Sequence, residues 1–169
     1  MDETLTIRDM TKGDPPVISA AFAAQGWEKP VSLYQNYWRE SVEGQRRVLI
    51  AEYKRKFAGY INIIWQSDYA PFREANIPEI ADFNVIIAFR RLKIGAALMD
   101  EAERLIALQS PVAGLGVGLL SDYGAAQILY IKRGYVPDGR GIAYQARQLQ
   151  YEEQVTVDHD LCLYLIKRL

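Results

Sequence analysis

The sequence holds one cysteine, Cys162, and one histidine, His159. A lone thiol cannot form an intrachain disulfide, so the fold does not rest on oxidation. A lone imidazole excludes a histidine-cluster metal site and argues against Ser–His or Cys–His nucleophilic catalysis; no metal is expected. Neither sign of charge dominates: 20 Lys and Arg against 21 Asp and Glu leave a formal net charge of -1. There is thus no global pull toward nucleic acid or a membrane surface, and Lys54-Arg55-Lys56 is too small a basic patch to act as a nucleic-acid face. No apolar run approaches the length that spans a bilayer. The opening MDETLTIRDM lacks the basic and apolar regions of a signal peptide, and a cytoplasmic location is expected. Neither G-x-x-x-x-G-K-S/T nor G-x-G-x-x-G follows a strand, which removes the common nucleotide-binding loops.

What is present fits one domain spanning 1–169. Half of the 169 residues are hydrophobic and 24% are charged, ordinary for a globular chain with room for a sizeable core. Leu5–Arg8 alternates as a strand. Pro15-Pro16 opens a helix, Val17–Ala24, stopped at Gly26, and Ser32 caps a second, Leu33–Val42. Tyr34, Tyr37 and Trp38 on that second helix either line a substrate mouth or pack as core, and packing is the favoured reading. Arg47–Tyr53 and Phe57–Gln66 form a hairpin across the basic tip. Ser67–Pro78 is irregular. Its Asp68, Tyr69, Arg73 and Glu74 either hold a polar substrate or tether the chain. Later elements are a strand over Val112–Leu120, a helix over Gly124–Lys132, and strands over Ile142–Gln148 and Leu161–Ile166. Hairpin-joined strands followed by a strand–helix–strand crossover predict an α/β chain with a mixed, mostly antiparallel sheet of about seven strands and helices on both faces. The apolar terminal strand, if partly exposed, makes a homodimer plausible.

Glu79–Leu108 organises the rest. Ile80–Ile87 is β-branched and apolar past Phe83, as in a strand buried on both faces. Ile94, Leu98, Ala102 and Leu105 then fall on one helical face, with Asp100 and Arg104 spaced to pair on the polar side. Between strand and helix stand Arg90, Arg91 and Lys93, with Gly95 in the first turn. Cations are unfavourable at a helix N-terminus, where unpaired amides carry the positive end of the macrodipole. A bound phosphate would satisfy the amides and the cations together, and Gly95 would let a ligand come close. The other reading is an ordinary connection with solvated arginines.

Arg90-Arg91-Leu92-Lys93-Ile94-Gly95-Ala96-Ala97-Leu98 resembles the acetyl-coenzyme A signature R/Q-x-x-G-x-G/A of the GNAT N-acetyltransferase superfamily. Lys93 stands where that signature has its first glycine, and the Glu79–Val85 strand resembles the family's central strand. A second segment, Ala126-Gln127-Ile128-Leu129-Tyr130-Ile131-Lys132-Arg133-Gly134-Tyr135, resembles the family's N-x-x-A-x-x-L-Y-x-K-x-G-F, with Tyr123 in the asparagine position and Tyr135 for the phenylalanine.

The resemblance implies a GNAT-like fold, acetyl-CoA as co-substrate, and transfer of acetyl to the primary amine of a small molecule or peptide. It implies cofactor contacts at Asn84, Val85, Ile86, Ile87, Arg90, Arg91, Leu92, Lys93, Ile94, Gly95, Ala96, Tyr123, Ala126 and Tyr130. By the same resemblance Tyr130 is the general acid for the leaving thiolate. Glu79 and Asp82 are the candidate bases, with Asp122 behind them; each reads otherwise as an ordinary strand charge. The alternative function is a non-catalytic acyl-CoA sensor or interaction domain. Acidic and aromatic residues, among them Asp68, Tyr69, Glu74 and Tyr144, favour a small cationic amine as acceptor.

Overall fold

The computed structural model describes residues 5–169, which form two compact units. Strand order along the eight-stranded, mostly antiparallel sheet is β1-β2-β3-β4-β5-β8-β6-β7. The fourth strand contributes residues to both units.

The first unit comprises residues 5–65 and 81–105. It contains β1 (Leu5–Asp9), α1 (Asp14–Ala23), α2 (Val31–Val42), β2 (Arg46–Tyr53), β3 (Lys56–Ile64), all but the first two residues of β4 (Glu79–Val85), and most of α4 (Ile94–Ala107). α1 begins three residues before the expected Val17 and takes Pro15 and Pro16 into its first turn, where a proline loses no helical hydrogen bond. The β2–β3 tip places Lys54 and Arg55 at φ +50° and +63°, the left-handed pair of a tight turn whose twist suits a hairpin. Met10, Ile18, Phe22, Tyr34, Val48, Ile50, Tyr60 and Ile86 build the core. α4 buries Ile94, Leu98, Met99, Ala102 and Leu105, the face its spacing predicts. Arg104 forks onto Glu101 at 2.7 and 2.8 Å, one turn back, where the sequence spacing points to Asp100.

Gly59 of β3 marks a close approach. A Cβ there would lie 2.6 Å from the Asn84 carbonyl oxygen and 3.1 Å from the Val85 Cα, so only glycine lets β4 run this near.

The second unit comprises residues 66–80 and 106–169. It contains α3 (Ala70–Glu74), the start of β4, β5 (Val112–Gly118), α5 (Gly124–Lys132), β6 (Val136–Tyr144), β7 (Arg147–Gln148) and β8 (Leu161–Arg168). β4 enters parallel to β5, with Glu79 opposite Gly114. Three expectations change here. The Ser67–Pro78 loop contains a short helix, α3, because Pro71 suits a first turn. The expected strand Ile142–Gln148 folds back at Gln145 and Ala146 (φ +50° and +59°) into the β6–β7 hairpin, which brings the strand count to eight. β8 is no edge: it pairs antiparallel with β5 on one side and β6 on the other, so the argument for a homodimer through an exposed terminal strand falls.

Tyr69 is also corrected. It is 1% exposed, stacks on Tyr164 with ring centroids 3.6 Å apart, and donates its hydroxyl to Asp138 at 2.8 Å. Arg73 caps the Ser67 and Asp68 carbonyls at 3.1 and 3.0 Å. Both residues therefore tether the loop.

Candidate active site

In the first unit the site is built on an irregularity in β4. Asp82 has φ +42°, a left-handed conformation costing a side-chain-bearing residue about 1–2 kcal/mol, although Asp is among the residues that tolerate it best. The turn of the strand aims its carboxylate at donors from three elements. Tyr37 of α2 and Tyr60 of β3 donate to Oδ2 at 2.8 and 2.5 Å, and Asn84 Nδ2 donates to Oδ1 at 2.8 Å. Burial first, and then the Asp82 charge, push both phenols well above the ordinary tyrosine range, so they remain donors. Packing describes Tyr34, which is fully buried, but Tyr37 is half-buried with its hydroxyl committed to Asp82. Tyr60 has no functional reading in the sequence, its one signal being a phenol in an otherwise apolar stretch of β3.

Past β4 the chain enters the basic turn. Ile87–Phe89 makes one short 3-10 turn; Arg90, Arg91, Leu92 and Lys93 are exposed; Ile94 begins α4. Arg91 and Lys93 have φ +64° and +61°. The signature's glycine at the Lys93 position thus has a backbone reason, since glycine adopts this conformation without a steric cost. Lys93→Gly is expected to stabilise the chain by about 0.5–1 kcal/mol, raising the melting temperature by about 1–4 °C, while Lys93→Ala brings no gain.

Some expected cofactor positions serve the protein itself. The Ile86 amide donates to the Ala58 carbonyl at 2.8 Å and the Ile87 amide to Gln25 Oε1 at 3.0 Å. The Asn84 side chain is taken by Asp82, and Ile94 is core. Packing is a second reason for glycine at Gly95, because a Cβ there would lie 3.0 Å from the Phe83 ring. Ala96 and Val85 are half-buried. Arg90 places its guanidinium 5.8 Å from the Trp27 ring centroid, and Arg91 and Lys93 extend from the turn's exposed residues.

In the second unit, Glu79 at the head of β4 receives the Ser67 hydroxyl. Burial raises its carboxyl above the ordinary glutamate range, opposed by that hydrogen bond and aided by Asp68. The nearby Cys162 thiol is pushed up to about 11 by burial, which keeps it protonated and unreactive. Tyr130, on α5, is 7% exposed, and burial pushes its hydroxyl up to about 12. Tyr123 precedes α5, packs its ring over Gly118, and brings its hydroxyl 2.9 Å from His159 Nδ1. Ala126 is half-buried in the helix, and Asp122 is exposed beside Tyr123.

A mixed sheet whose fourth strand carries an irregularity and runs through a cationic turn into a long helix has the fold of the N-acetyltransferases. A model of the GNAT acetyltransferase domain matches residues 18–145, and the chain belongs to that family. Among solved structures, ribosomal-protein-alanine N-acetyltransferase from Brucella melitensis superposes with a TM-score of 0.70 at 18% identity, over 97% of this chain and 99% of its own. Spermidine/spermine N-acetyltransferase SpeG from Vibrio cholerae gives 0.67 at 15% identity, over 98% and 92%. Naa50 from Arabidopsis thaliana, in complex with the bisubstrate analogue CoA-Ac-MVNAL, gives 0.67 at 12% identity, over 98% and 99%. At these identities the likeness is one of fold. No curated protein matches the chain in sequence.

Proposed function

We propose that the chain, read as one domain over 1–169, moves acetyl from acetyl-CoA to a primary amine of a small molecule or peptide by direct attack, in the cytoplasm. The observation that carries this reading is the exposed turn Arg90–Lys93, with three cations and two left-handed residues at the start of a long helix. That donor set suits a pyrophosphate: guanidinium groups fork onto phosphate oxygens, and the first amides of α4 have no intrahelical acceptor. When bound, acetyl-CoA supplies an activated thioester, so positioning is the larger part of the protein's task. Tyr130 gives its hydroxyl proton to the departing sulfur, and its depth in α5 keeps that proton in place across the working range. Glu79 is the better base. Its proton affinity is raised by burial, whereas the Asp82 carboxylate is already committed to three hydrogen-bond donors. The named relatives acetylate a protein alanine or a polyamine, which supports an amine acceptor without choosing one.

Titration calorimetry with acetyl-CoA tests the reading. Wild type is expected to bind, and Arg90→Ala/Arg91→Ala to bind at least tenfold more weakly while melting at the same temperature. A folded wild type that does not bind acetyl-CoA ends the proposal. Binding without turnover on any amine would leave an acyl-CoA sensor.

A further inference from the structure

In the second unit, Ser67 is the middle member of a short polar chain that ends on Glu79. It is 1% exposed. Its Oγ accepts the Tyr69 amide at 3.0 Å, and its hydroxyl donates to Glu79 Oε2. A serine hydroxyl has one proton to give. The Tyr69 amide can only donate, so it takes an Oγ lone pair and leaves that proton for the carboxylate. The direction of the Ser67–Glu79 hydrogen bond is therefore set by the backbone. The chain is anchored on both sides of Ser67. Arg73 donates to the Ser67 and Asp68 carbonyls, and Tyr69 is held by its stack on Tyr164 and its hydroxyl bond to Asp138.

Glu79 Oε2 is thus occupied, while Oε1 receives no donor among the described residues. The surroundings otherwise disfavour a charge. Across the ladder from Glu79 stands Gly114, and the Phe72 ring fills the place of its missing side chain. The titratable groups facing the carboxyl are Asp68 on the same loop and Cys162 and Tyr164 on β8. Burial and the Asp68 charge both favour the protonated acid. Burial also keeps the Cys162 thiol and the Tyr164 phenol neutral. Of these neighbours only Ser67 favours the ionised carboxylate, by giving it a hydrogen bond.

We infer that Ser67 is the positioning residue of the general base: its hydroxyl pins Glu79 Oε2 and leaves Oε1 to take the proton of the acceptor ammonium. The proton passes from the substrate nitrogen to Oε1, and the nitrogen keeps the electron pair that attacks the thioester carbonyl. The inference rests on the reading of Glu79 as the base and adds the group that controls it. Without the hydroxyl, the carboxyl would turn on its broad terminal torsion and hold its proton to higher pH, because the donor that stabilises the anion is gone while the burial remains.

The test follows Glu79 in the full chain by two readouts. NMR of the glutamate carboxyl carbons, with Glu79→Gln to assign the signal, gives its titration midpoint without any substrate. The pH profile of kcat/KM, with acetyl-CoA and either spermidine or an alanine-terminated peptide as acceptor, gives its use in the reaction. In Ser67→Ala both the midpoint and the acid limb are expected to move to higher pH. At a fixed pH on that limb the rate should fall about tenfold, while the plateau stays within a few-fold of wild type. Ser67→Thr keeps the hydroxyl and should keep both readouts. Alanine also leaves the Tyr69 amide without its acceptor, so a thermal melt accompanies each variant. Ser67→Cys, whose thiol is a weak donor, should fall between serine and alanine and decides the question should alanine not fold. A Glu79 midpoint unmoved in the folded variants overturns the inference. A midpoint that moves while the rate limb stays would instead retire Glu79 as the base and leave Ser67 holding a structural carboxylate.

Discussion

Gly59→Ala is expected to destabilise the chain by about 3 kcal/mol, lowering the melting temperature by about 6–12 °C. The added methyl would meet the Asn84 carbonyl oxygen at 2.6 Å and the Val85 Cα at 3.1 Å. Both are backbone atoms of the neighbouring strand, so no side-chain rotation relieves the clash. β4 must move as a strand, which strains the hydrogen bond from the Ile86 amide to the Ala58 carbonyl (2.8 Å) and shifts Asp82, two residues before Asn84. Stability and site geometry should therefore fail together: the melt drops, and the Tyr37 and Tyr60 phenols lose their shared acceptor. Gly124→Ala makes the control, since nothing stands within 4 Å of the added carbon at the start of α5. There alanine should be neutral or stabilising by up to about 1 kcal/mol. A melt of Gly59→Ala within a degree or two of wild type would show that the strands can part without cost.

Tyr130→Phe is expected to lower kcat on the order of 10²-fold while leaving the KM for acetyl-CoA within a few-fold of wild type. The substitution removes one oxygen and keeps the ring, so the edge contact with Tyr135 (centroids 6.0 Å apart) survives. The pH profile separates acid catalysis from packing. Burial favours the neutral phenol and pushes its titration up to about 12, so wild type should show no alkaline fall attributable to Tyr130 below that point. On the acid side the profile should fall as pH drops through the raised Glu79 pKa, because the carboxylate is the competent form of a base. Glu79→Gln should remove that limb; Asp82→Asn should leave it in place. An unchanged kcat in Tyr130→Phe would dismiss the phenol as the acid.

Local signals carried most of the secondary structure. Pro15-Pro16 opening α1, the apolar stripe of α4 and the α5 segment Gly124–Lys132 were all legible, because helix starts and helical faces depend on residues a few positions apart. The basic turn was legible for the same reason: its cations are consecutive, and their position at a helix start is a local fact. The family could be reached from the Arg90–Leu98 and Ala126–Tyr135 segments, both contiguous. What depends on contacts between distant residues was not. Tyr37 and Tyr60 reach Asp82 across 45 and 22 residues, and no periodicity in α2 or β3 distinguishes a phenol bound for a carboxylate from one bound for the core. The insertion of β8 between β5 and β6, the approach of the Phe83 ring to Gly95, and the left-handed backbone at Asp82 belong to the same class. The sequence by itself determined most of the elements, the class of chain and the charged turn, since these follow from short-range patterns. The tertiary structure alone decided which carboxylate is half-buried with its pKa raised, which is locked by three donors, and that Lys29 stands beside the latter.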